Sequence, residues 1–144
     1  MATINPYLNF NGNTEEAFLF YKSVFGGTFT KLQRFKEIPG GPELPPDAQD
    51  KIMFISLPIG HGSVLMATDA IESMGQILQE GNNHYISIET ESKEEANKLF
   101  YALSAEGEIE MEIGDAFWGA YFGMFRDKFG IQWMVNYDYP NPAR

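Results

Sequence analysis

Apolar positions recur with two periods along this chain, and turn residues mark where one gives way to the other. Ile4 to Phe10 is apolar and predicts a strand closed by the turn signal Asn11-Gly12-Asn13. Thr14 then reads as a helix N-cap, with Glu15 and Glu16 in the first turn, where the helix dipole favours negative charge. Ala17, Phe18, Phe20, Tyr21, Val24 and Phe25 give that helix a broad apolar stripe, which stops at Gly26-Gly27. Thr28 to Phe35 predicts a strand. Residues 36–51 hold four of the eight prolines and two adjacent glycines, so they predict a loop, long enough to act as a lid. Ile52 to Leu57 and Ser63 to Thr68 predict a strand pair around the Gly60-His61-Gly62 turn.

The same order then recurs. His84 to Glu89 predicts a strand and Ser92 a second N-cap, and Glu94-Glu95-Ala96 opens a helix through Leu99, Phe100 and Leu103 that ends near Gly107. Strands follow at Ile109–Ile113, Tyr121–Phe125 and Ile131–Tyr137, the last two split by the turn Asp127-Lys128-Phe129-Gly130. The tail Asp138-Tyr139-Pro140-Asn141-Pro142 is too proline-rich to extend a sheet far. Glu15-Glu16-Ala17 matches Glu94-Glu95-Ala96 at a shift of about 79, and Phe54, Gly62 and Met66 match Phe122, Gly130 and Met134 at about 68. The chain therefore reads as an α+β domain over residues 1–144, built from two βαβββ modules at 1–69 and 84–139 with 70–83 as linker. Two such units, each with a helix on one sheet face, would curl around a shared cleft.

Composition narrows the chemistry. A chain of 144 residues buries enough surface to fold without a disulfide or a structural metal. With no cysteine, a disulfide framework, a thiolate zinc site and a thiol nucleophile are all excluded. Only His61 and His84 offer imidazole, so a metal site would have to lean on carboxylates. The net charge of −10 argues against nucleic acid and anionic membrane as partners. The first six residues have no basic region and no apolar run, so no signal peptide is expected. The longest uncharged stretch, Ile52 to Thr68, contains Pro58 and the glycine-flanked turn and is not a membrane span. The expectation is a soluble cytoplasmic protein.

Several segments in order resemble one family. Tyr7-Leu8-Asn9-Phe10-Asn11-Gly12-Asn13, Tyr21-Lys22-Ser23-Val24-Phe25-Gly26-Gly27, Gly62-Ser63-Val64-Leu65-Met66-Ala67, Phe117-Trp118-Gly119-Ala120-Tyr121-Phe122-Gly123-Met124 and Asp127 through Asn136 resemble the PhnB-like branch of the vicinal oxygen chelate superfamily (glyoxalase I, bleomycin-resistance proteins, extradiol dioxygenases). The resemblance spans the chain and implies the two-module fold and a homodimer. It also implies a divalent metal held by His, Glu or Gln from the first and last strands of each module. Mapped here, those positions fall at Asn5 or Pro6, Met66 or Leu65, His84 and Met134, and the His of many relatives is replaced by Phe54. Only His84 is a conventional ligand, so no metal or other cofactor is expected. Relatives are sometimes labelled demethylubiquinone methyltransferases. The glycine pairs here follow a helix, interrupt a loop or close a hairpin, and do not make a cofactor loop between strand and helix.

Single residues then divide between site and scaffold. His84 is the candidate catalytic residue, as a proton donor or base, set against a strand-end histidine without a role. Met66, Phe54, Trp118, Phe122, Met124, Gln132 and Met134, with His84, are the candidate lining of a ligand pocket, set against plain core packing. Alternation puts Gln132 and Met134 on one face and Trp133 and Val135 on the other. Glu108, Glu110 and Glu112 share a face that reads as solvated; Glu112 or Asp115 is a candidate partner for His84, and Arg126 reads as a charged hairpin end able to clamp an anion. Three readings follow: a metal-free protein that binds a small apolar molecule, an enzyme using His84 on a carbonyl compound, and a metal-dependent lyase, isomerase or dioxygenase.

Overall fold

The computed structural model describes residues 2–140. Two compact units divide the chain between Gln79 and Glu80. Met1 and residues 141–144 lie outside the described part, and with them Asn141 and Pro142 of the tail.

In the first unit the period-two runs become β1 (Tyr7–Phe10), β2 (Lys31–Arg34), β3 (Ile52–Ile59) and β4 (Ser63–Asp69), hydrogen-bonded in the order β1-β4-β3-β2. β1 runs parallel to β4, with Tyr7 opposite Met66; the other pairs are antiparallel. The helix α1 (Thr14–Phe25) lays its aromatic stripe over one face. Phe18 meets Phe10 edge-on at 6.3 Å and Tyr21 at 5.6 Å, and Ile55, Leu57, Leu65 and Ala67 are buried with them.

The second unit repeats the plan. β5 (Ile86–Glu89), β6 (Glu108–Ala116), β7 (Ala120–Arg126) and β8 (Gln132–Asp138) pair in the order β5-β8-β7-β6, the same permutation, with α3 (Lys93–Ser104) on one face. Phe100 of α3 stacks on Phe125 at 5.2 Å. Gly123 makes this closeness possible: a Cβ there would sit 2.9 Å from Ile113 and 3.0 Å from the Phe100 ring. Trp133 and Val135 are buried, while Met134 is half-exposed. The α+β arrangement of two βαβββ modules is thus present as expected.

Thr14 is not the N-cap of α1 but its first residue, fully buried; Asn13 holds the cap position and makes no side-chain bond there. The cap comes from far along the chain. One carboxylate oxygen of Asp69 accepts from the Thr14 N–H (3.0 Å) and hydroxyl (2.6 Å), and the other accepts from the Ile52 N–H (2.8 Å). Asp69 is 1% exposed, so one buried carboxylate ties β4 to α1 and β3. In the second unit Ser92 does cap α3 locally, accepting from the Glu95 N–H at 3.0 Å.

Boundaries shift where backbone donors run out. Pro6 has no N–H for a ladder, so β1 starts at Tyr7 and Ile4 stands 98% exposed. β2 is confined to Lys31–Arg34, with a bulge at its end. β5 starts at Ile86 and leaves His84 outside it. Residues 36–51 are no plain loop. The turns Phe35–Glu37 and Gly41–Glu43 and the one-turn helix α2 (Pro46–Gln49) gather Phe35, Ala48 and Ile71 into a core of their own, with Ile38, Leu44 and Met53 against it. Gly41 is required there, because a Cβ would collide with the Phe35 carbonyl.

Asp69→Ala strands two buried N–H groups at once. The expected cost is about 2–4 kcal/mol, read as a lowered urea midpoint by far-ultraviolet circular dichroism. A midpoint within error of the parent would remove Asp69 from this role.

Candidate functional site

Residues paired across strands share a face, so register decides what lies opposite each helix. On the first sheet Tyr7, Met66, Ser56 and Lys31 form one cross-strand row, with Phe54 opposite Gln33 beside it. On the second sheet the helix-free face carries Ser87, Met134, Met124 and Met111 as one row. Phe122 stands opposite Asn136, and Arg126 opposite Gln132, on the same face. Of the expected lining, Phe54 and Met66 therefore share the helix-free face of the first unit, and Phe122, Met124, Gln132 and Met134 that of the second. Met66 sits opposite Tyr7 and Met134 opposite Ser87, which is the repeat expressed as register. Trp118 lies in the turn between β6 and β7, 55% exposed, edge-on to Phe122 at 5.5 Å.

His84 is exposed and precedes its strand. Its ring Nδ1 is 3.4 Å from the Asn83 side-chain oxygen, while its main-chain carbonyl accepts from Gln132 Nε2 at 2.6 Å. Gln132 thus engages the His84 backbone. Neither carboxylate expected beside the imidazole is there: Glu112 accepts from the Tyr101 hydroxyl at 2.6 Å, and Asp115 from that of Tyr139. Arg126 is more than a hairpin end. It donates to the carbonyls of Gly130 (2.8 Å) and Gly81 (3.4 Å) and to Gln132 Oε1 (2.9 Å), with Glu80 at 3.8 Å. His61 is exposed in its turn.

The acidic strand β6 holds a set of tyrosines that sequence reasoning missed. Register shifts between Ile109 and Met111 and between Met111 and Gly114 break the alternation, so Glu110 and Glu112 do not share one environment. Glu110 accepts from Tyr85 at 2.8 Å, beside β5 at the opposite edge of the sheet, whereas Glu112 meets Tyr101 of α3. The hydrogen bonds to Glu110, Glu112 and Asp115 hold all three phenols above their ordinary pKa, and that of Tyr139 is pushed up to about 12. A usable signal existed: alternating acids on an outer strand of a tyrosine-rich chain.

The donor set does not fit the divalent ion that the fold family implies. Asn5 Oδ1 is engaged by the Val64 N–H at 3.1 Å, Met66 and Met134 offer thioethers, and only His84 presents a nitrogen. Among the described residues no group of three or more His, Asp or Glu side chains is placed to hold a metal.

Because a phenol with a raised pKa favours the folded state below its unfolded value of about 10, these contacts hold at neutral pH and are lost as pH climbs through the raised values. Titration of tyrosinate absorbance is expected to show a late step near pH 12, and Tyr139→Phe to delete that step. A parent curve complete by pH 11 would show the Asp115 contact to be absent in solution.

Comparison with known proteins agrees with this geometry. A profile of the Glyoxalase/Bleomycin resistance protein/Dioxygenase superfamily matches residues 3–135. Protein YjdN of Escherichia coli K12 is 30% identical over 138 residues, covering 92% of this chain and 93% of its own. The crystal structure of PA1353 from Pseudomonas aeruginosa superposes with a TM-score of 0.84 at 40% identity, over 96% of this chain and 98% of that one. A PhnB protein from Bacillus cereus shares the fold, with a TM-score of 0.75 at 23% identity, over 94% and 99% of the two chains. With the paired βαβββ units already described, these matches place the chain in the glyoxalase/bleomycin resistance protein/dioxygenase superfamily.

Proposed function

We propose that this protein binds a small, mostly apolar molecule on the helix-free sheet faces, without a metal. The observation that carries the reading is the cross-strand row Met111, Met124 and Met134 beside Phe122 on the second sheet. Unbranched thioether side chains adapt to varied apolar shapes, and Met134 is one of the positions where the family resemblance implies an oxygen or nitrogen donor. An acid–base role for His84 has less support, since neither Glu112 nor Asp115 is its partner and a histidine base normally needs an orienting group. A homodimer and a cytoplasmic location belong to the same proposal. The dimer is supported by the exposed apolar side chains of Ile109, Phe117 and Trp118.

Methionine-methyl NMR of the full chain tests the binding site, with 1-naphthamide as a neutral apolar probe. Saturable shifts are expected at the Met124 and Met134 methyls, and Met134→Glu is expected to weaken binding about tenfold or more, because it puts a charge on an apolar face. Equal small drifts of all seven methionines would sink the reading. Elemental analysis of untagged protein is expected to find no stoichiometric divalent metal; a near-equimolar ion would overturn the metal-free part.

A further inference from the structure

The helix-free face of the first sheet has a chemistry unlike the methionine row of the second. Tyr7 and Phe54 lie with ring centroids 6.0 Å apart and planes tilted by 34°, and Tyr7 is 47% exposed. Register holds them together: Tyr7 is opposite Met66, Met66 is opposite Ser56, and Phe54 is two residues from Ser56 on the same face. Lys31 is opposite Ser56 from the other side, and its Nζ stands 5.8 Å from the centre of the Phe54 ring.

Lys31 brings a positive charge to this face in a chain of net charge −10. Arg34, Lys36, Arg126 and Lys128 each face a carboxylate, and Lys51 donates to the Gly12 carbonyl. Lys31 lies over the Phe54 ring, as Lys22 and Lys93 lie over Phe29 and Tyr121. Nearby, the Tyr7 phenol is held above its ordinary pKa by desolvation, partly offset by a hydrogen bond with Thr68, so it remains a hydroxyl at neutral pH.

We propose that this face is a subsite for a planar aromatic monocarboxylate, its ring against Tyr7 and Phe54 and its carboxylate at Lys31. The proposal rests on the small-molecule reading above and gives it a ligand class. A flat ring suits offset contact with two neighbouring aromatic side chains. A cationic ligand would compete with Lys31 for the face of Phe54. A dianion would gain one ammonium while meeting the repulsion of a strongly acidic protein twice over. One negative charge on an aromatic frame satisfies all three constraints.

The test compares 1-naphthoate, 1-naphthamide and 1-naphthylmethylammonium, titrated into the full chain and followed by backbone amide shifts. Naphthoate is expected to bind about two- to fivefold more tightly than naphthamide, the range of an exposed ion pair, with shifts at Tyr7, Lys31 and Phe54. Lys31→Met is expected to erase that preference, and Phe54→Leu to weaken naphthoate binding. Equal affinity of parent and Lys31→Met for naphthoate, or tighter binding of the ammonium compound, would overturn the subsite. Naphthamide shifts at Met124 and Met134 without any acid preference would sink this inference alone. Silence from all three compounds at every residue would sink the small-molecule reading with it.

Discussion

A buried carboxylate organises each half of this protein. Asp69 gathers the first turn of α1 and the start of β3 onto the end of β4. In the second unit Asp127 accepts from the Phe129 and Ile131 N–H groups and from the Trp133 indole at 2.8 Å, so the β7–β8 turn and the largest buried side chain share one anchor. Charge-assisted bonds of this kind are strong because their donors have no water to fall back on. They also fix direction. With Trp133 held against the helix side, its neighbours Gln132 and Met134 must face the other way. The composition of the candidate site therefore depends on a scaffold contact that touches no ligand.

The two modules keep one topology and have diverged in what they place on it. Both use the permutation in which the first strand pairs in parallel with the last, and both set a methionine of the last strand opposite the first strand. The first module adds an aromatic pair and a lysine, while the second adds further methionines and a ring of hydrogen bonds about Arg126. Membership of the superfamily establishes the frame. Chemistry belongs to the residues mounted on it, which here include Met66 and Met134 on the last strands of the two modules.

The tyrosine contacts along β6 show how far a side chain can depart from simple alternation. A strand reading Glu-Ile-Glu-Met-Glu suggests one acidic face and one apolar face. Two register shifts divide it, so successive glutamates reach Tyr85, just before β5, and Tyr101 of α3. No pattern within the strand announces a bulge, because a bulge depends on what the partner strand can accommodate.

Much of this fold is legible in the sequence. Turn signals and apolar periods locate the two long helices and all eight strands but not the one-turn α2, Ser92 is recognisable as a cap, and alternation along β8 separates Gln132 and Met134 from Trp133. These are local properties, set by backbone sterics and the nearest few side chains. What required tertiary structure was every feature linking distant positions. Thr14 looked like a cap in its own right until Asp69, 55 residues away, proved to supply the oxygen. Residues 36–51 read as a plain loop, whereas Ile71 and Met53 close a core against them. Glu112 and Asp115 read as candidate partners for His84, and tyrosine hydroxyls engage both. Sequence determined which segments fold and which faces they offer; contacts between segments decided which polar groups remain available, because a hydrogen-bonding group already satisfied by a distant partner has little left to give a ligand.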